Sequence, residues 1–189
     1  MNWRNIGGHY NWEWFYEQEA ARMQPGGVAV ELGIWLGRSL CHLASMLPED
    51  AVVYGVDHFD CDQDDEAMQA LVDRHGGILR ETVNNIYGCG VQKQVRIIQS
   101  DSAAAASIFP TESVDLVFID ACKDYEWVKQ DIMEWLPTVR PGGTIAGHDY
   151  SDSWPGVKQA VNELIPGRKT KGNLWWYHMP EGVEVSDGC

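Results

Sequence analysis

The chain has 189 residues, 44% hydrophobic and 22% charged, a balance that suits one globular domain with its own core. Twenty-eight acidic residues against 14 basic ones give a net charge of −14, which excludes an extended nucleic-acid backbone as partner because phosphate binding needs a basic face. No apolar run approaches bilayer length, no signal-peptide pattern opens the chain, and five scattered cysteines without a CxxC pair exclude a disulfide framework or zinc site; no membrane partner and a cytoplasmic location are expected.

In chain order, Met1–Gln24 is dense in aromatics: Trp3, Tyr10, Trp12, Trp14, Phe15 and Tyr16. From Trp12 a helix is expected, with Glu17, Glu19 and Arg22 on its wetter side. It serves either as a cap on the sheet or as a lid over a substrate, so residues 1–24 are set apart from a main domain of residues 25–189. Pro25-Gly26-Gly27 breaks the chain before the first strand. Val28–Ser39, VAVELGIWLGRS, then reads as a buried strand, a turn bracketed by Gly33 and Gly37, and the start of a helix. Glycines at such a junction, with helical N–H groups pointing back at the turn, usually serve a nucleotide-like ligand. Arg38–Leu47 is the first crossover helix. Ala51–Asp57 is the second strand, and Asp57, twenty residues past Gly37, suits a ribose hydroxyl pair.

Asp60, Asp62, Asp64, Asp65 and Glu66 form an acid-rich loop leading into a helix near Glu66–Arg74. The loop lacks the ligand order and glycine of a calcium hand, so a solvated helix start is the better account. A helix over Ile78–Tyr87 and a strand over Val95–Gln99 follow. Asp101 is placed to cap an alanine-rich helix running to Phe109. Val114–Ile119 is a central parallel strand ending at Asp120. Tyr125–Leu136 is helical, Thr144–Gly147 is a strand ending at His148-Asp149, and Val157–Leu164 is a further helix. Leu174–Met179 supplies final antiparallel pairing. Tyr150, Trp154, Trp175 and Trp176 shape either an acceptor pocket or the core.

Strands alternating with helices give an α/β class: a doubly wound, Rossmann-like, mostly parallel seven-stranded sheet covered on both faces. Ligands bind beyond the carboxyl ends of such strands, where Glu31, Asp57, Asp101, Asp120 and Asp149 all stand.

VELGIWLGRS, GVDHF, QSDSA, VDLVFIDACKDYE and VRPGGTIAGHDY, in this order, resemble a class I S-adenosylmethionine-dependent methyltransferase. The chain is most similar to small O-methyltransferases that hold a divalent metal, from about Val28 to Tyr177. Trp35 stands where that superfamily often has a middle glycine. The resemblance implies a cofactor cradle of Glu31 under the methionine portion, Gly33, Leu36, Gly37, Arg38 and Ser39 in the turn, and Asp57 with His58 at the ribose. Asp101 and Ser102 would meet the adenine, with Asp120 beside them. It also implies Mg²⁺ or another divalent cation on Asp120, His148 and Asp149, since oxygen donors suit a hard ion. His148 is open to three roles: ligand, general base, or core histidine. Lys123 either helps deprotonate the acceptor or is a solvated rim charge.

The expected function is methyl transfer from S-adenosylmethionine to a small hydroxylated acceptor, with Asp120, Lys123 and His148 as catalytic candidates. Alternatives are metal-independent N- or C-methylation on the same fold, or a nucleotide-binding module without turnover. A homo-oligomer is an open alternative to a monomer.

Overall fold

The computed structural model describes residues 1–60, 70 and 76–182. The acids at 62, 64, 65 and 66 and the helix expected near 66–74 lie outside the described residues. Seven strands form one sheet: β1 (Val28–Leu32), β2 (Val52–Asp57), β3 (Val95–Gln99), β4 (Val114–Ile119), β5 (Val139–Gly147), β6 (Lys169–Lys171) and β7 (Leu174–His178). Their spatial order is β3-β2-β1-β4-β5-β7-β6. β1 to β5 run parallel, and β7 enters antiparallel between β5 and β6. The mostly parallel doubly wound sheet expected from the sequence is thus the fold.

The helices are α1 (Glu13–Arg22), α2 (Arg38–Met46), α3 (Ile78–Cys89), α4 (Ser102–Ala105), α5 (Tyr125–Trp135) and α6 (Pro155–Leu164). Among the described residues no helix is long and apolar enough to cross a membrane. The central strands read VAVEL and VDLVFI because both of their faces are covered, and period two sorts their side chains between two cores. Ala29, Leu116, Phe118 and Ala146 face the cluster built with α1, α2 and α3. Val30, Leu32, Val117, Ile119 and Ile145 face the one built with α4, α5 and α6.

β5 is longer than the expected Thr144–Gly147 and starts at Val139. Pro141-Gly142-Gly143 does not end the strand but is absorbed as an irregularity, across which pairing jumps from Val114↔Val139 to Leu116↔Thr144.

The N-terminal segment differs most from expectation. Trp12 is 1% exposed, stacks on Phe118 at 5.3 Å and lies 4.5 Å from the His148 ring. Phe15 and Tyr16 are as fully buried and also meet Phe118. Residues between 3 and 23 contribute to the first core cluster directly, the packing expected of a cap on the sheet. Glu19, expected on the wet side, is 6% exposed and accepts a hydrogen bond from the Thr144 hydroxyl at 2.6 Å. A satisfied carboxylate tolerates that burial. Trp175 is core and lines a small cavity beside Asp120, Lys123 and His148, while Trp176 packs beside Trp14 and Phe15. Trp154 is 44% exposed.

Candidate functional site

The turn after β1 is built by two glycines. Gly33 has φ +81°, and a Cβ there would come within 2.3 Å of the Asp120 carbonyl oxygen. Only glycine lets the ends of β1 and β4 approach this closely. Gly37 has φ +78° and caps α2 from the left-handed region, with Thr82 directly behind it. Trp35 itself has φ +45°, the strain expected where a non-glycine residue occupies a glycine-type turn.

That strained turn is clamped from three sides. Asp57 Oδ2 accepts from the Trp35 N–H at 2.9 Å, and its Oδ1 accepts from the Phe59 N–H at 2.8 Å. On α3, the Thr82 hydroxyl donates to the Trp35 carbonyl and the Asn85 amide donates to the Leu36 carbonyl at 3.0 Å. Sequence reasoning missed Thr82 and Asn85. Their signal was two polar residues three apart on the apolar face defined by Ile78 and Ile86.

A cleft of about 570 Å³ opens beyond the strand ends, of a size usual for small-ligand sites. Of the expected residues, Gly33, Asp57, His58, Asp101, Ser102 and Asp120 line it. Trp127, half exposed in the first turns of α5, lines it too and was not foreseen. Glu31, Leu36, Gly37, Arg38, Ser39, Lys123, His148 and Asp149 stand behind or beside it. Arg38 turns away and donates to the Gly8 carbonyl at 2.6 Å, tying the N-terminal segment to the turn. Ser39 donates to Glu31 Oε1, while Glu31 Oε2 is buried without a hydrogen-bond partner. Burial pushes the Glu31 carboxyl up to about 8, against the pull of the Ser39 hydrogen bond. At the other end Asp101 caps α4 as expected, accepting from the Ala104 N–H at 3.0 Å.

Beside the cleft a charge cluster spans the ends of β4 and β5. The Lys123 ammonium lies 2.5 Å from Asp120 Oδ1 and 2.8 Å from Asp149 Oδ2, bridging the two carboxylates. His148 Nδ1 is 3.0 Å from Asp149 Oδ1. Burial works against the Lys123 charge, yet Asp120 and Asp149 together raise its pKa. Burial likewise favours neutral Asp149, but hydrogen bonds from His148 and Lys123 outweigh it and hold the carboxyl near about 2. For Asp120 burial prevails, so it is the more basic of the pair. Asp149 sits at φ +61°, held there by these partners. His148 is 6% exposed against Trp12, and its Nε2 has no hydrogen-bond partner.

Donor atoms of Asp120, His148 and Asp149 lie within 4.8 Å of one another, a spacing one divalent ion can span. The residues therefore fit a metal, provided Lys123 swings out from between the carboxylates.

The strand order, the glycine turn facing an acid at the end of β2, and a cleft at the carboxyl ends define a class I S-adenosylmethionine-dependent methyltransferase. The model of the methyltransferase domain family matches residues 30–150, more than half of the chain, and the chain belongs to that family. No curated protein matches it. Solved structures share the fold. The O-methyltransferase NovP superposes with a TM-score of 0.70 at 20% identity, covering 89% of this chain and 79% of its own. A SAM-dependent O-methyltransferase from Thermotoga maritima gives 0.65 at 14% identity, over 96% and 69% of the two chains. A protein described as an rRNA methylase from Clostridium thermocellum gives 0.67 at 15% identity, over 94% and 100%.

Asp57 supports both the turn and the cleft, so Asp57→Ala should weaken S-adenosylhomocysteine binding by roughly 1–3 kcal/mol in a calorimetric titration. Unchanged affinity would remove Asp57 from the cofactor site.

Proposed function

We propose that the protein transfers a methyl group from S-adenosylmethionine to an oxygen of a small hydroxylated acceptor. Asp120 carries this reading, because it lines the cofactor-sized cleft and also belongs to the charge cluster at the ends of β4 and β5. Methyl transfer is an in-line displacement, so the protein must chiefly align oxygen, methyl and sulfur. Asp57 and Asp101 fix the nucleoside end, and Glu31 lies beneath the methionine end. At the acceptor oxygen, Lys123 is held as an ammonium and stabilises negative charge as it grows. Asp120, the more basic carboxylate, receives the proton. His148 holds Asp149 in place from behind.

Asp120, His148 and Asp149 would hold Mg²⁺, which when bound would lower the pKa of an acceptor hydroxyl. The Lys123 bridge favours a second version of the same reaction that runs without a metal, since the ammonium already offsets both carboxylates. A net charge of −14 supports a small molecule over nucleic acid as acceptor. The test is a screen of phenols, catechols and sugar hydroxyls with S-adenosylmethionine, read by mass spectrometry for an O-methyl product. Transfer only to nitrogen or carbon would overturn the oxygen assignment.

Glu31 supplies a further check. Its carboxyl, ordinarily 4.5, lies near about 8, so at pH 7 it is mainly protonated. A cationic methionine portion placed over it favours the ionised form and lowers that pKa, so binding must release a proton. Titrations at pH 7 in two buffers of different ionisation enthalpy should show close to one proton released. No buffer dependence would place the positive charge elsewhere.

A further inference from the structure

At the adenine end of the cleft, a hydroxyl has had its hydrogen-bonding direction fixed from behind. Ser102 lines the cleft, and its Oγ donates to Asp131 Oδ1 at 2.5 Å. Asp131 lies on α5, is 1% exposed, and its second oxygen has no hydrogen-bond partner. A hydroxyl has one proton. With that proton directed at Asp131, Ser102 can offer the cleft only its lone pairs. The arrangement is braced by Trp135, whose indole N–H donates to the Ser102 carbonyl at 2.8 Å. Asp101, next in the lining, is a carboxylate and accepts only; Oδ1 caps α4, which leaves Oδ2 for a ligand. This end of the cleft therefore presents acceptors and no side-chain donor from either residue.

A base edge that meets two acceptors must bring a donor. Adenine brings its 6-amino group, whereas hypoxanthine and guanine bring a carbonyl oxygen at that position and carry their nearest donor one place round the ring, at N1–H. Sites built to hydrogen-bond one group reject the analogue lacking it, because their buried polar atoms are left facing a like charge. We propose that Asp131, without touching the ligand, sets the purine preference of the cleft by holding the Ser102 hydroxyl as an acceptor for an amino-purine. Asp131 is thus a positioning residue, and Ser102 and Asp101 are the groups that read the base. Asp131 stays ionised at pH 8, since burial raises its carboxyl only to about 6 despite the Ser102 bond.

The inference rests on the S-adenosylmethionine assignment, and the test separates the two. S-adenosylhomocysteine and S-inosylhomocysteine, which differ only in the 6-amino or 6-oxo group, are titrated calorimetrically at pH 8. Wild type should favour the adenosyl compound by roughly 10²-fold or more. Asp131→Leu keeps the volume but removes the acceptor, so the Ser102 proton can turn to the cleft and the preference should fall at least about tenfold, chiefly through tighter binding of the inosyl compound. A role in packing alone would weaken both ligands together and leave the ratio unchanged. If Asp131→Leu does not fold, Asp131→Asn carries the test, since its amide can donate to Ser102 Oγ and free the hydroxyl proton, with the same fall expected in the ratio. Wild-type failure to bind either compound would overturn the cofactor assignment. Equal binding by wild type, or an unchanged ratio in the variant that folds, would overturn the role of Asp131.

Discussion

Trp12→Ala should lower the melting temperature by roughly 6–20 °C, an effect as large as any single truncation in the core should have. Truncating a buried tryptophan costs about 3–5 kcal/mol, a large part of the 5–15 kcal/mol by which a domain is stable. Trp12 fills the angle between Phe118 on β4 and His148 beyond β5, so its loss opens a cavity at the sheet's centre. Trp154→Ala is the control, because that ring is 44% exposed and its removal should shift stability by no more than about 0.5 kcal/mol. Both are read by differential scanning calorimetry. A Trp12→Ala protein melting with wild type would favour the lid over the cap as the role of residues 1–24.

Lys123→Met should reduce turnover by roughly 10²–10⁴-fold, once an acceptor is in hand, if the proposed role of this cation at the acceptor oxygen holds. Its effect on metal binding has the opposite sign. Without the ammonium, Asp120 and Asp149 repel one another, and a divalent ion becomes the means of relieving that repulsion. Mg²⁺ affinity measured by calorimetry should therefore rise in Lys123→Met, by roughly tenfold, and fall in Asp149→Asn, while S-adenosylhomocysteine binds both variants as it binds wild type. Loss of wild-type activity in a chelator and its return with Mg²⁺ would support the metal version. Full activity in excess chelator, with no Mg²⁺ binding by either variant, would leave the Lys123 bridge as the sole source of charge.

The parallel sheet was legible because buried strands announce themselves. VDLVFI is apolar but for Asp115, VRIIQ keeps a β-branched core between its polar residues, and β4 and β3 begin and end where those segments do. Acids at strand ends located the cleft for the same reason, since a charge directly after such a run must lie at its mouth. What the sequence concealed depends on partners far along the chain. Glu19 looked wet until Thr144 was folded against it. Trp12, Phe15 and Tyr16 do stand at the i, i+3, i+4 spacing of a helical stripe, but the spacing does not say that Phe118 on β4 is what the stripe covers. Lys123 reads as an ordinary rim lysine until the ends of β4 and β5 bring two carboxylates to it. Pairing of this kind has no period to betray it.

The tie between Glu19 and Thr144 spans 125 residues, and Phe15 lies on Trp176. Helix α1 can therefore complete its packing only after β5 and β7 have been made. At translation rates of about 5–20 residues per second, the interval between them lasts roughly 6–30 s. The order of synthesis thus runs against the order of docking, and this helix is fully covered only when the antiparallel edge of the sheet closes.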